Sequence, residues 1–235
     1  MTTTRPINLS EHEVLAALRG ELGLVVRPVR PQPTMIMDME PEGYSMVPSW
    51  DGETELHMSK CPLGLPGDRL RCKETWRVGA WRDYSDDCSK FAFDYQATPE
   101  IVRTPWMFPP EEKDELQLRE RIFMELANKN ILKVEGEYVW EPGKSPLSWR
   151  SAATMPAWAS RITLEVVAVR CVRIDELRNE DFIACGFVPR LHDGREWLDL
   201  LAQFVGSWDR RHGKQYLYQS RPWVWAAKVK IVKAV

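Results

Sequence analysis

The spacing of apolar side chains divides the chain into alternating and helical segments. Ser10-Glu11-His12-Glu13 has the form of a helix capping box. Val14, Leu15 and Leu18 supply an apolar stripe behind it, and Gly20 stops the turn. Leu22 to Val26 is apolar and β-branched at its end and predicts a strand. The prolines of Arg27 to Pro33 forbid helix there and predict an extended run. Met35 to Trp50 is compatible with a hairpin, Asp51-Gly52 signals a turn, and Thr54 to Met58 predicts a short strand. After the turn Pro66-Gly67-Asp68, a period of two over Leu70 to Arg77 predicts one strand. Its inner face holds Leu70, Cys72, Glu74 and Trp76, and its outer face Arg71, Lys73, Thr75 and Arg77.

Farther along, Thr104 to Pro110 is a proline-rich bend. Glu111 to Asn128 predicts a helix with acidic residues in its first turn and an uneven stripe of Leu116, Arg119, Ile122, Phe123 and Leu126. Glu137 to Trp140 reads as a strand and Trp149 to Ser160 as a loop. The nearly continuous apolar run Arg161 to Ile174 predicts a long strand at a sheet centre or bending between sheets. Asn179 caps a helix over Glu180 to Cys185 that Gly186 ends. Glu196 to Trp208 is a helix with Trp197, Leu198, Leu201, Phe204, Val205 and Trp208 on its apolar side, and Trp223 to Val232 closes the chain as a strand. Strands in sequence without βαβ alternation predict an α+β fold built on a small closed β-barrel with flanking helices.

Composition narrows the class. The 235 residues are 44% hydrophobic and 28% charged, as expected of a globular protein, and contain no run of eighteen apolar residues for a membrane span. The N-terminal stretch has no apolar signal-peptide core, so a cytoplasmic location is expected. The five cysteines form no C-x-x-C pair and the four histidines are scattered. Reduced, packing thiols, no metal site and no cofactor are therefore expected. The net charge of −2 argues against a protein that coats nucleic acid indiscriminately. It is unevenly spread, however. From Asp83 to Glu141 there are fourteen acidic and seven basic residues, which leaves a mildly basic body around an acidic segment.

Glu74 raises a chemical question, because a carboxylate on an apolar face needs a partner. Either it accepts hydrogen bonds from the exocyclic amine of an unpaired base, or it is a structural anion paired with Arg27 or Arg161. Arg71, Lys73 and Arg77 alternate on the other face and are candidate phosphate contacts, or simply a solvated strand face. Trp76 and Trp149 are candidate stacking platforms for a base, and Ser160 with Arg161 a candidate phosphate pair where the long strand begins.

Three colinear stretches carry a resemblance. CPLGLPGDRLRCKETW (61–76), MPAWASRITLEVVAVRCVRIDELRNEDFIACGF (155–187) and FVGSWDRRHGKQYLYQSRPWVWAAKVKIV (204–232) resemble segments of phage and prophage proteins of the ASCH family, a branch of the PUA-like barrels. The resemblance implies a PUA-like barrel at 1–82 and 148–235, interrupted by an acidic insertion at 83–147 that is helical or irregular. It also implies binding of nucleic acid, RNA before DNA, or of a modified nucleobase in a cleft near Glu74. The protein would work in the cytoplasm, the host's if phage-encoded. One ASCH branch hydrolyses N4-acetylcytidine with a lysine, a threonine and a glutamate, and ribonuclease activity is ascribed to others.

The family's G-x-K-x-x-T/E-x-R motif falls at Gly20 to Arg27, followed by Pro31-Gln32-Pro33, yet the lysine place is Leu22 and the threonine place is Val25. That departure favours a binder without turnover. The alternative is an amidohydrolase on acylated cytidine or a ribonuclease using Glu74, Lys73 and Ser160. A further alternative is a phage protein that binds a host protein through its acidic insertion.

Overall fold

A computed structural model of the chain describes residues 2–33, 44–50, 54–84, 88–98, 104–131, 137–189 and 196–234, with the side chains of 44–50, 54–60, 83–84, 88 and 196–198 left aside. The expected turn at Asp51-Gly52 and the side chains of His57, His192, Trp197 and Leu198 lie outside the described residues. The strands are β1 (Thr4–Asn8), β2 (Leu24–Pro28), β3 (Tyr44–Trp50), β4 (Thr54–Lys60), β5 (Arg69–Lys73), β6 (Trp76–Tyr84), β7 (Cys88–Tyr95), β8 (Glu137–Val139), β9 (Ile162–Arg173) and β10 (Trp223–Ala234). The helices are α1 (Glu11–Leu18), α2 (Glu112–Asn128), α3 (Asn179–Ala184) and α4 (Glu196–His212). The fold is a mixed α+β fold. No described helix is long and apolar enough to cross a membrane.

The chain divides into two compact units. The first comprises residues 1–7, 12–72 and 161–235, the second residues 8–11 and 73–160. The expected insertion 83–147 falls inside the second unit.

In the first unit five strands pair in the order β1-β5-β9-β10-β2, and β3 pairs with β4 as an antiparallel two-stranded sheet. β9 is the central strand, as its unbroken apolar run required. It pairs antiparallel with β10 along almost its whole length and with β5 on its other side. The described pairings end at β1 and β2, and no ladder among the described residues joins these two edges.

Leu24, Val26, Val224 and Ala226 share one apolar cluster with Phe182, Phe187, Leu200, Phe204, Trp208 and Tyr216. Burying these aromatic and aliphatic side chains, at about 25 cal/mol per Å², is the main force holding α3 and α4 to the sheet. Gln32 extends the junction of β2 and β10. Its amide donates to the carbonyls of Val29 (2.7 Å) and Trp223 (3.0 Å), and its oxygen accepts from the Trp223 N–H (2.7 Å).

In the second unit β6 is flanked by β7 and β8. Trp76, Trp81, Phe91, Phe93, Tyr95 and Tyr138 form a core with Leu118, Ile122 and Leu126 of α2. Three sequence expectations are corrected here. The strand expected over Leu70 to Arg77 is two strands, because Glu74 and Thr75 leave the ladder; Leu70, Cys72, Glu74 and Trp76 are nevertheless all buried. Arg77, expected to face outward, is 8% exposed. It lies 3.6 Å from Asp94, donates to the carbonyls of Leu147 and Gly143, and stacks 4.2 Å from the Trp149 ring. The inner stripe of α2 is Leu118-Ile122-Leu126, whereas Leu116 and Phe123 are both 54% exposed. β7 was not anticipated at all.

Candidate functional site

The residues singled out in the sequence fall in both units. Arg27, Arg71 and Arg161 belong to the first, and Lys73, Glu74, Trp76, Trp149 and Ser160 to the second. In the second unit Glu74 is buried, and its backbone N–H approaches the sulfur of Met155 at 3.3 Å. The Lys73 amine donates to the Ala153 carbonyl at 2.8 Å. Trp76 is 2% exposed and meets Phe93 edge-on at 5.5 Å, so the ring is spent on packing and offers no open face for a base. Trp149 remains half-buried under the Arg77 guanidinium. Ser160 closes a 3-10 turn over Ala157–Ala159. In the first unit Arg71 lies on β5 opposite Thr163, with a buried Nε that has no hydrogen-bond partner. Arg161 is buried just before β9.

Arg27 leads to a cluster that the sequence did not disclose. It sits on β2 and grips Glu13 of α1 with both terminal nitrogens, Nη1 to Oε1 at 2.7 Å and Nη2 to Oε2 at 3.2 Å. Arg211 near the end of α4 donates to Glu13 Oε2 at 2.7 Å. Three elements thus meet at one carboxylate that is only 4% exposed. Burial alone would raise the Glu13 carboxyl, but the two guanidinium groups reverse this and hold it well below the usual carboxylate range. Burial, and then the neighbouring Arg27, lower Arg211. The three groups carry a net positive charge.

Two histidines flank the cluster. His12 lies on the Phe187 ring with centroids 4.3 Å apart, and His212 on Trp208 at 4.1 Å. Burial, reinforced by Arg211 and Arg27, pushes both imidazoles down, His212 to about 4, so both are neutral near pH 7. Cys185 is buried beside them and its thiol is pushed up, first by burial and then by Glu13, which makes it unreactive.

Two clefts adjoin at this cluster. The inner one, an open notch of about 320 Å³, is lined by Glu13, Arg27 and Arg211 above a floor that includes Val26, Phe204 and Trp208. The outer one, a groove of about 1050 Å³, is lined by Leu15, Arg19, Val188, Gln203 and Arg210. His12, Phe187 and Ser207 line both. Four arginines therefore face the two clefts against a single glutamate, an arrangement suited to an anionic ligand with an apolar portion. No group of three or more metal-ligating side chains occurs among the described residues.

Glu13 itself was legible only as a capping residue, and Arg211 carried no sequence signal. No family model, no curated protein and no solved structure matches this chain.

Proposed function

We propose that this chain is a PUA-like, ASCH-type module that binds RNA, single-stranded nucleic acid or a modified nucleobase without turning it over. The observation that carries the reading is the pair of adjoining clefts with four arginines and one glutamate. Backbone phosphates are held by such side chains, and aromatic or apolar walls accept bases. On this reading the sheet β1-β5-β9-β10-β2 is the framework of the barrel, and the α1–α4 side of the first unit is its binding face. Against turnover stand Leu22 and Val25, apolar where the hydrolytic relatives carry lysine and threonine, and the engagement of the Lys73 amine with the Ala153 carbonyl.

Titration of intrinsic tryptophan fluorescence with single-stranded RNA, single- and double-stranded DNA and modified cytidines, each mixture then assayed for product, tests the reading. Saturable binding of single-stranded RNA without product is expected. Its log K should fall with log salt concentration, and Arg210→Met should make that slope shallower by about 0.7–1. No saturable response to any of these ligands would refute nucleic-acid recognition, and product formation would refute its non-catalytic half. In the same titrations Glu74→Gln weakens binding if Glu74 receives a base amine, and unchanged affinity removes it from recognition.

A second reading, capture of a host protein by the acidic segment, is favoured by the half-exposed Leu116, Phe123 and Met124 of α2. It takes precedence if nucleic acids give no response.

A further inference from the structure

The outer groove is more specific than a basic patch. His12, Leu15 and Arg19 are spaced i, i+3, i+7 on α1 and the turn that ends it, and Gln203, Ser207 and Arg210 are spaced i, i+4, i+7 on α4, so each helix gives the groove one stripe. From His12 to Arg19 the chain rises about 10 Å at 1.5 Å per residue. Leu15, Phe187 and Val188 make an apolar side, with Val188 57% exposed. Gln203 fixes that side, since its amide donates to the Val188 carbonyl (3.0 Å) and to Asp199 (2.8 Å).

Among the described residues no carboxylate lines this groove. Its cations are unevenly placed. Ser207, Arg210 and Arg211 share one face of α4 at i, i+3, i+4, and Ser207 lies where the outer groove meets the positively charged inner notch. Arg19, on the opposite wall, is engaged at the surface by Glu21 at 2.7 Å. Arg211, of the inner notch, is likewise engaged by Glu13 at 2.7 Å, but with Arg27 it leaves that cluster one positive charge, so positive potential remains at the Ser207-Arg210-Arg211 edge, and apolar surface lies beside it.

We infer that this groove binds a nucleoside monophosphate group, either a free nucleotide or the phosphorylated end of a strand. The phosphate sits at Ser207, Arg210 and Arg211, and the nucleoside lies along Leu15, Phe187 and Val188. The inference rests on the nucleic-acid reading and sharpens it. A phosphate dianion offers three acceptor oxygens to two guanidinium groups and a hydroxyl, and a base covers apolar area that a bare anion leaves wet.

The test is calorimetric titration of the full chain with cytidine 5′-monophosphate, cytidine, inorganic phosphate, an oligoglutamate peptide, and one RNA oligonucleotide with a 5′-phosphate or a 5′-hydroxyl. Charge-assisted hydrogen bonds to the phosphate predict that the monophosphate binds at least about tenfold more tightly than cytidine, and that Arg210→Met removes most of that difference. Val188→Asp also weakens the monophosphate, while Lys228→Met, at an exposed position on β10, does not. None of the three variants shifts thermal unfolding by more than a degree or two, because all three side chains are exposed.

Preference for the 5′-phosphorylated oligonucleotide over the free nucleotide identifies a strand end as the source, and the reverse identifies a free nucleotide. Equal affinity for cytidine and its monophosphate, or displacement by oligoglutamate at equal concentration, overturns the inference. If the oligonucleotides bind but the monophosphate does not, the inference fails and the nucleic-acid reading stands. If neither binds, both fail.

Discussion

Replacing Glu13 by glutamine keeps the side-chain shape and removes one charge. In the native chain this carboxylate, 4% exposed, balances Arg27 and Arg211, whose side chains are 13% and 25% exposed. The variant leaves two guanidinium groups facing each other across a neutral amide, which keeps one acceptor oxygen and puts an NH2 donor where the other oxygen received a guanidinium. Removing one partner of a buried ion cluster costs about 3–5 kcal/mol. The partial exposure of Arg211 places Glu13→Gln at the lower end, about 3 kcal/mol. If Glu13 served only as a capping residue, the loss would be about 0.5–2 kcal/mol. The two accounts are separated by urea unfolding followed by tryptophan emission and far-ultraviolet dichroism, read as a free energy only where the two probes coincide. A cycle with Arg211→Met adds the coupling, expected above about 1 kcal/mol for side chains in direct contact. A loss below about 1 kcal/mol for Glu13→Gln, or additivity with Arg211→Met, would refute the claim that the carboxylate ties α1, β2 and α4 together.

Two further perturbations follow from the same unit. Gly186 ends α3 at φ +94°, and a Cβ there would lie 2.4 Å from the Cβ of Ala16 on α1. Gly186→Ala should therefore cost more than about 1 kcal/mol, while Gly67→Ala, also at positive φ but with open space around it, should cost less; equal losses would place the effect in backbone strain alone. His212 is held down to about 4, first by burial and then by Arg211, Arg27 and Arg30, so the unfolded chain takes up its proton near pH 6.5 while the folded chain does not. Stability from this ring is complete above pH 6.5 and declines as pH falls toward 4, by roughly 1–2 kcal/mol after allowing for solvent at the half-exposed ring. His212→Gln should flatten the fall in unfolding midpoint across that window, and an unchanged slope would refute it.

The elements found from sequence are those in which one face is apolar and the other is not. α1 and α4 announced themselves in this way, and β9 by its nearly continuous apolar run, with ends displaced by only a few residues. β7 was missed although Ser89, Phe91, Phe93 and Tyr95 alternate, because its other face holds Ala92 and Asp94 and both faces are buried. A buried aspartate reads as a solvent position until its arginine is known, and Arg77 was itself taken for an outward residue. The α2 stripe was misplaced because Leu116 and Phe123 are as apolar as the residues that pack. The candidate site was legible in part. Arg27 stood out as the last residue of a motif, but its partner Glu13 lies 14 positions upstream, and Arg211, the second donor to Glu13, lies 198 positions from that glutamate on another helix. No local period encodes a contact of that kind.

The apolar character of Leu22 and Val25, which the proposed kinship would make lysine and threonine, has a physical account in the packing. Leu22 and Val25 are 2% and 0% exposed, so both places belong to the interior of the first unit. An ammonium there would need a partner to offset several kcal/mol of desolvation, and a hydroxyl would need an acceptor. This chain has filled both places with side chains that need neither. Arg27 and Gln32, in the same stretch, have partners: Arg27 joins β2 to α1, and Gln32 joins β2 to β10. Turnover requires a nucleophile and a base within hydrogen-bond reach of each other, which is a demand on two particular atoms. Binding demands only donors, charge and an apolar wall, and these occur together on α1 and α4, where neither Leu22 nor Val25 lines the groove. A reactive pair at Leu22 and Val25 and an anion site on α1 and α4 would therefore draw on different side chains.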